Sequence, residues 1–423
     1  MSVRRKWAWL TVTAAMLLFL LGADAEPVMK ETMKGNKVVR REWVDENGAL
    51  TAGPEGYAYV TRSISGTTVT EKFYDAQGKP AMTAGGYYGQ MLTYGNRHRL
   101  EEVVYLDREG KKAECAAGYA RLRIVYTSKG KVTAASYYDR FNELVTVPGL
   151  GYASMRSEYR GSTVTKTVWL DADKNLVDTP QGYAVMIQTV NKSNRVTGIR
   201  FEHADGSAAV CPEGWASCER ELDQKNRELS VKYYDLEGRL VLQSGGYAYE
   251  EREWDGNQVC TVSRYDANGN RMPMSGGAEK LRQEFNRDGL VIRETCLSAT
   301  EKAVEDNEGV AVRTYSYDGE GRLAEVRFAD AGGRPAESRD GCAGYRETLD
   351  EDGFPAARIF LDTAGNPANT ADGYSEIRYV YDEGRALTAL EYYDTNGNLV
   401  KTEPHPMREG GEEHGHSEDG GTL

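Results

Sequence analysis

Short runs in which Tyr, Val, Thr and Phe alternate with polar residues recur along most of the chain, each closed by a glycine-bearing turn. Residues 57–82 show the pattern. Tyr57-Ala58-Tyr59-Val60-Thr61-Arg62-Ser63 leads to a turn at Ser65-Gly66. Thr67 to Tyr74 follows, then a turn at Asp75-Ala76-Gln77-Gly78 and a short return through Pro80 and Met82. A period of two between turn residues is the signature of half-buried strands. The turn Asp supplies an acceptor for its own backbone, and the Gly takes the positive φ that a tight reversal demands. Asn268-Gly269 and Asn396-Gly397 are strong hairpin signals of the same kind. Each segment is expected to form two hairpins or a three-strand meander.

The segments repeat, and self-similarity at a fixed period decides the architecture. Turn aspartates stand at Asp45, Asp75, Asp107, Asp139, Asp171, Asp235, Asp266, Asp330, Asp362 and Asp394. Their spacings are 30, 32, 32, 32, 64, 31, 64, 32 and 32 residues, so each doubled gap hides one degenerate copy, with His203 and Leu297 at the expected Asp. Twelve units of roughly 32 residues result. A second anchor, Gly before an aromatic, falls at Tyr57, Tyr87, Tyr119, Tyr152, Tyr183, Trp215, Tyr247, Tyr345 and Tyr374, with Ala278 and Val310 filling the phase in two weaker copies. From Tyr57 to Tyr374 is 317 residues over ten steps, or 31.7 per step. Two anchors give one period.

The position two before the turn Asp reads Trp43, Phe73, Tyr105, Tyr137, Trp169, Phe201, Tyr233, Phe328, Phe360 and Tyr392, broken only by Arg264 and Thr295. Residues at one phase of a strand share a face, so stacked copies bring these rings into a ladder. Burying a ring removes about 150–250 Å² from water, an upper bound of roughly 4–6 kcal/mol before entropy is subtracted. No unit can keep that surface dry alone, so the fold expected is all-β: tandem antiparallel β-hairpin repeats stacked as a solenoid, spiral or extended twisted sheet. The rings two before Asp are assigned to the inter-repeat core, and the Gly-aromatic rings are left open to either core or ligand.

Composition refines this picture. The chain holds 27 Tyr against 8 Phe, and 46 Gly, with an apolar fraction of 40%, which suits strands with one wet face better than a single large core. Arg4, Arg5 and Lys6, the apolar run Trp7 to Leu21, and Ala23-Asp24-Ala25 form the three parts of a secretory signal peptide, so residues 1–25 are expected to be removed. The run of about 15 residues falls short of the ~20 that a spanning helix needs. No stable membrane span is therefore expected after cleavage. Loss of three bases and one acid takes the formal net charge from -13 to -15, which argues against nucleic acid as a partner. Residues 26–402 form the array, and 403–423, rich in Glu, Gly and His, are read as a disordered acidic tail.

The candidate chemistry is sparse. Asp171, Asp173 and Asn175 with Asp178 have the alternate-oxygen spacing of a calcium loop, without the Gly and distal Glu of an EF-hand. Asp266, Asn268 and Asn270, and Asp394, Asn396 and Asn398, repeat that spacing more weakly, and an ordinary hairpin turn accounts for all three. Of His98, His203, His405, His414 and His416, only the last two are neighbours, and a defined metal site needs three or four placed ligands. Six cysteines in an exported chain allow Cys211–Cys218 and Cys260–Cys296 as disulfides, with free buried thiols as the alternative. Cys115 and Cys211 share a phase but lie at least three rungs apart, beyond the ~7 Å that a disulfide tolerates. Nucleophile elbows, zinc-protease motifs and phosphate loops are missing from the sequence, so no catalytic, cofactor or metal residue is assigned and the chain is read as non-enzymatic.

Tyr234-Asp235-Leu236-Glu237-Gly238-Arg239-Leu240 and Tyr317-Asp318-Gly319-Glu320-Gly321-Arg322-Leu323 resemble the YD repeat of the RHS family. The resemblance spans about residues 30 to 400. It implies hairpin repeats winding into a β-sheet shell or spiral at a bacterial surface, associated with carbohydrate binding or contact-dependent competition and often bearing a C-terminal toxin. Here the period is longer, the Gly-aromatic phase is extra, and no toxin-sized segment follows the last unit. Gly85-Gly86-Tyr87-Tyr88 is faintly similar to aromatic wall-binding repeats of Gram-positive bacteria. The function expected is a secreted or cell-surface scaffold binding a carbohydrate or cell-envelope polymer, with a surface protein as the other partner class. The competing readings are a toxin-associated shell component and a glycan-active hydrolase with convergent carboxylates.

Overall fold

A computed structural model of the chain describes residues 28–35, 37–45, 47–350, 353–381 and 387–404. The signal segment 1–25 and the histidines His405, His414 and His416 lie outside the described residues. Among the described residues a three-residue 3-10 turn at Asn96–His98 is the one helical element, and 27 strands make up the rest of the regular structure. The chain is all-β with antiparallel pairing, as the period-two alternation requires. Two compact units divide it: residues up to Met186 with Glu202–Ser207, and Ile187–Phe201 with the strands from Ala208 onward.

Each repeat is one hairpin and a clipped return. Strand Tyr59–Ser65 pairs with Thr68–Tyr74 from Tyr59↔Tyr74 to Ser65↔Thr68. Tyr74 then meets Pro80 in an isolated bridge beyond the turn, and the next hairpin begins with Lys72↔Gly89. The expected third strand is thus reduced to a single bridge in most copies, as at Tyr138↔Leu144, Tyr234↔Leu240 and Leu361↔Pro367. The reason is that the chain turns again at the Gly-aromatic segment. The sheet is open: among the described residues Val28–Lys34 pairs only with Lys37–Val44, and Leu399–Pro404 only with Leu387–Tyr393. Strand Leu399–Pro404 carries the array two residues past the expected boundary at 402.

The turns explain the first anchor. Asp75 Oδ1 accepts the amides of Gln77 and Lys79 at 3.0 and 2.8 Å, while the Gly78 amide donates to the Asp75 carbonyl. The fourth turn residue has positive φ in all twelve copies: Gly48, Gly78, Gly110, Gly206, Gly238, Gly269, Gly333, Gly365 and Gly397, and also Asn142, Lys174 and Glu301. The same Asp-capped turn also closes hairpin tips, as at Asp223 and Asp318. The two YD-like segments therefore occupy different places: Tyr234–Leu240 follows a hairpin, whereas Tyr317–Leu323 is the tip of one.

Two register readings need correction. The degenerate turn begins at Ser298, whose amide donates to the Lys302 carbonyl, so Cys296 and not Thr295 stands two before it. The phase of Tyr57 and Tyr87 falls in the eleventh unit on Cys342, not Tyr345: the Ser338 amide donates to the Cys342 carbonyl as that of Thr83 does to Tyr87. Gly344-Tyr345 imitates the Gly-aromatic pair three residues late. His203, Ala278 and Val310 do stand at their expected phases.

Within each unit both ring phases feed the same core. In the first unit rings follow one another as Tyr57–Phe73 at 4.7 Å, Phe73–Tyr87 at 5.8 Å, Tyr87–Tyr105 at 4.5 Å, Tyr105–Tyr119 at 5.6 Å and Tyr119–Tyr137 at 4.9 Å. In the second, Phe201–Trp215 at 5.2 Å, Trp215–Tyr233 at 5.4 Å and Tyr233–Tyr247 at 6.0 Å continue the same alternation. The ladder is built from edge-on and tilted contacts, the favoured geometry for aromatic pairs. The question left open for the Gly-aromatic rings is thereby answered, because they interleave with the others. Arg264, which breaks the aromatic series, still sits in it: its guanidinium lies 4.5 Å over the Tyr247 ring.

The cysteines belong to this core as well. All six are free thiols, so neither Cys211–Cys218 nor Cys260–Cys296 is bonded. Cys260 and Cys296 share a buried cluster with Val262, Ala278 and Leu281. They lie on strands separated by a third, with Cys260 opposite Gln283 and Cys296 opposite Leu281, which is too wide a gap for a disulfide. Burial pushes the Cys260 and Cys296 thiols up to about 11, and that of Cys211 up to about 12. They act as small apolar fillers.

Candidate functional site

The alternation that sends Phe73 inward sends Tyr74 to the opposite face, and there some copies build a second, polar surface, while others place a buried Leu106, Leu170, Leu297 or Leu361 at that position. Tyr59 and Tyr74 face each other across the hairpin and stack at 4.9 Å with 14° between planes, and Arg40 lies 3.8 Å over Tyr59. In the second unit Lys232 is opposite Tyr249, Tyr249 opposite Tyr265, and Tyr265 opposite Arg271. The two rings stack at 4.5 Å with 6° between planes, and the cations lie 5.8 and 5.7 Å from the rings they flank. Arg121 over Tyr138 and Arg378 over Tyr393 repeat the theme at 5.0 and 4.0 Å. These tyrosines are half-buried, and carboxylates join the cations beside them: Arg40 donates to Glu42, and the Tyr393 hydroxyl donates to Glu391, both at 2.6 Å. The sequence reading looked for ligand rings at the Gly-aromatic phase; the signal for this row was Tyr immediately before the turn Asp.

The ladder face holds its own polar groups, all tied to one another. Buried Glu71 accepts from Arg62 at 2.8 Å and Gln90 at 2.7 Å, Glu250 from Arg252 and Arg264 at 2.6 and 3.1 Å, and Glu294 from Gln283 and Tyr315 at 2.7 and 2.6 Å. A carboxylate removed from water needs such partners. Nearby charge matters for Glu55, whose carboxyl burial and then Glu71 hold above the usual range.

The turn acids are capped from within. Asp171 accepts the Asn175 amide at 2.8 Å, while Asp178 accepts from the Ala204 amide and pairs with His203 Nδ1, both at 2.8 Å, so the two acids face different partners. Asp266 and Asp394 each accept two backbone amides and the Nδ2 of Asn270 or Asn398. Hydrogen bonds from Asn side chains and backbone amides hold both carboxyls below the usual range. Among the described residues, no three His, Cys, Asp or Glu side chains gather around a common point. His98 sits exposed in the 3-10 turn at a hairpin tip.

A further set of contacts went unread in the sequence. Hydroxyls of Tyr126, Tyr159 and Tyr317 donate to the carbonyls of Leu100, Val132 and Val291, and Trp254 Nε1 to that of Glu228, at 2.6–2.9 Å. Each links a hairpin tip to the hairpin before it, 26 or 27 residues upstream.

No protein-family model and no curated protein matches the sequence. Among solved structures, the chain is similar to TcdB2-TccC3 without its hypervariable C-terminal region, at 10% identity and a TM-score of 0.25, covering 90% of this chain and 22% of that one. It is similar to TcdB2-TccC3-TEV at 13% identity and a TM-score of 0.26, covering 89% and 22%. A porin-like protein from Bacteroides uniformis follows at 8% identity and a TM-score of 0.23, covering 71% and 91%. The chain spans about a fifth of the length of the first two. None of these likenesses reaches a TM-score from which function follows. Among the described residues no helix is long and apolar enough to cross a membrane.

Proposed function

We propose that the chain is an exported, non-enzymatic β-repeat scaffold that holds an extended cell-envelope polymer, a polysaccharide first of all, on the face opposite the ring ladder. The observation that carries this reading is the row Lys232–Tyr249–Tyr265–Arg271, echoed by Arg40–Tyr59–Tyr74. Stacked tyrosines fixed in place offer flat apolar edges at little entropic cost, and the flanking cations and carboxylates can donate to and accept from hydroxyls. Weak contacts made by several repeats suit a repeating ligand through effective concentration. The buried carboxylates speak for scaffold and against acid catalysis, since Glu71, Glu250 and Glu294 are already hydrogen-bonded.

The test is retention of the purified chain on isolated cell walls, a polysaccharide panel and an inert resin, with calcium and with chelator. Saturable retention on one polymer is expected, indifferent to chelator because the turn carboxylates cap their own amides. Replacing Tyr249 and Tyr265 together by Ala is expected to weaken it by about tenfold, near 1.4 kcal/mol. A protein that stays off every polymer ends the proposal.

A further inference from the structure

The internal repeat shows what each unit places at a given position, and so where a unit places no large side chain. The first residue of the hairpin strand, on the polar face, is Tyr59 in one copy, Arg121 in another and Tyr249 in a third, and its cross-strand neighbour is Tyr74, Tyr138 or Tyr265. In the copy that begins at Gly86 the pair is Gly89 and Leu106. The ring or guanidinium position is vacant there, as it is at Ser154, Ser217 and Gly344 in three other copies. It is vacant by backbone geometry as well as by sequence, because a Cβ on Gly89 would come within 2.8 Å of the Glu71 carbonyl oxygen.

A hollow of about 80 Å³ opens at that point. Tyr74, Pro80, Tyr88 and Leu106 give it an apolar wall, and Lys72 with the turn Asp107–Gly110 forms its rim. The same copy carries a second irregularity. Tyr88 stands where Ala58, Ala120 and Ala153 are fully buried in their units, and it shares their backbone pairing, its amide donating to the Leu106 carbonyl. A large aromatic beside a glycine thus stands where Ala58-Tyr59 and Ala120-Arg121 place a small residue beside a large one. Asp235, Asp330 and Asp394 hold their second carboxylate oxygen against Arg239, Arg334 and Asn398, four residues on, whereas Asp75 and Asp139 take the backbone amides of Lys79 and Glu143. At Asp107 the residue four on is Lys111, which gives only its backbone amide.

We infer that the hollow at Gly89 is a binding subsite for a single neutral pyranose ring, seated against Tyr74 and Tyr88 with its hydroxyls shared among Lys72, Asp107, Arg108 and Glu109. An aromatic wall suits the apolar face of a sugar. The rim carries two cations and two carboxylates, which matches hydroxyls that both donate and accept, whereas a simple anion or cation is repelled by half of it. The volume suits one ring and not an oligosaccharide, since drug-sized ligands fill about 300–1,000 Å³. This subsite rests on the polymer-binding reading and locates one of its contact points.

The experiment titrates the full chain with methyl β-D-glucopyranoside, methyl N-acetyl-β-D-glucosaminide and methyl α-D-mannopyranoside, read by saturation-transfer NMR, beside the polymer retention assay. The variants are Tyr88→Ala, which restores the residue most other units carry and so keeps the fold, Glu109→Ala on the exposed rim, and Leu236→Ala, at an exposed turn residue of the second unit, as a remote control. The expected result is saturation transfer to at least one glycoside, weakened about tenfold or more by Tyr88→Ala and Glu109→Ala and unchanged by Leu236→Ala. Transfer that survives Tyr88→Ala, or polymer retention with no glycoside bound, overturns the subsite and leaves the scaffold reading standing. Glycoside binding that Tyr88→Ala removes, without retention on any polymer, upholds the subsite and overturns the scaffold reading.

Discussion

Three of the twelve turns place a side chain where the backbone favours glycine: Asn142, Lys174 and Glu301 have φ of 71°, 68° and 61°. Asn tolerates this region, whereas Lys and Glu bear a cost of roughly 1–2 kcal/mol there, partly offset because glycine leaves the unfolded chain freer. Lys174→Gly is expected to raise stability by about 0.5–1 kcal/mol in chemical denaturation. Glu301→Gly is expected to gain nothing, since Glu301 accepts from the largely buried Lys280 ammonium at 2.9 Å and its loss leaves that charge unpaired. Equal gains from both would show that backbone strain alone governs these turns. The Asp and Gly that most turns carry were legible because their conformation is set locally. Ser298 and Cys342 were not, because nothing but backbone pairing tells Ser298 from Leu297 or Cys342 from Tyr345 as holder of the repeat position.

A strand in this chain has two working faces, and the alternation predicted which residues share one without saying what each face meets. Phe73 is buried between Tyr57 and Tyr87, at 4.7 and 5.8 Å, while Tyr59 and Tyr74 lie half-buried on the opposite face. Phe73→Ala removes the centre of a run of rings and is expected to cost about 3–5 kcal/mol, while Tyr59→Ala is expected to cost about 1 kcal/mol or less. Denaturant midpoints of the two variants decide it, and similar losses would mean the polar face carries as much of the packing as the ladder. The hydroxyls of Tyr126, Tyr159 and Tyr317 show the same limit of legibility. Each reaches a carbonyl of the preceding hairpin, a partner that only the stacking of hairpins brings near.

At the scale of the whole molecule, the ladder makes tyrosine ionisation a stability term. Burial is the first cause in each case: it raises Tyr57 to about 12 and pushes Tyr87, Tyr105 and Tyr137 higher still, with Tyr233 and Tyr315 raised in the second unit. An unfolded tyrosine titrates near ~10, so the folded state disfavours the phenolate. The stabilisation from burying neutral rings is full below pH ~10 and is lost as pH rises from there through the folded values. Alkaline titration is therefore expected to release the tyrosinate absorbance of these rings together with the β-sheet circular dichroism, in a cooperative step above pH ~11. Full ionisation near pH ~10 with the sheet intact would show the ladder hydroxyls to be solvated.

The sequence by itself determined the repeat, its turns and the two-faced strand, because Asp capping, positive φ and side-chain alternation act within a few residues. It also determined which residues had to find neighbours, since no single hairpin can bury its rings. Tertiary structure decided the rest: that both ring phases interleave within each unit, that Arg264 takes a ring's place, that the cysteines stay apart as fillers, and that Gly89 leaves a hollow where Tyr59, Arg121 and Tyr249 stand in other copies. Those outcomes depend on residues about 15 to 30 apart meeting across strands, at distances set by the pairing of hairpins and by no local preference of the chain.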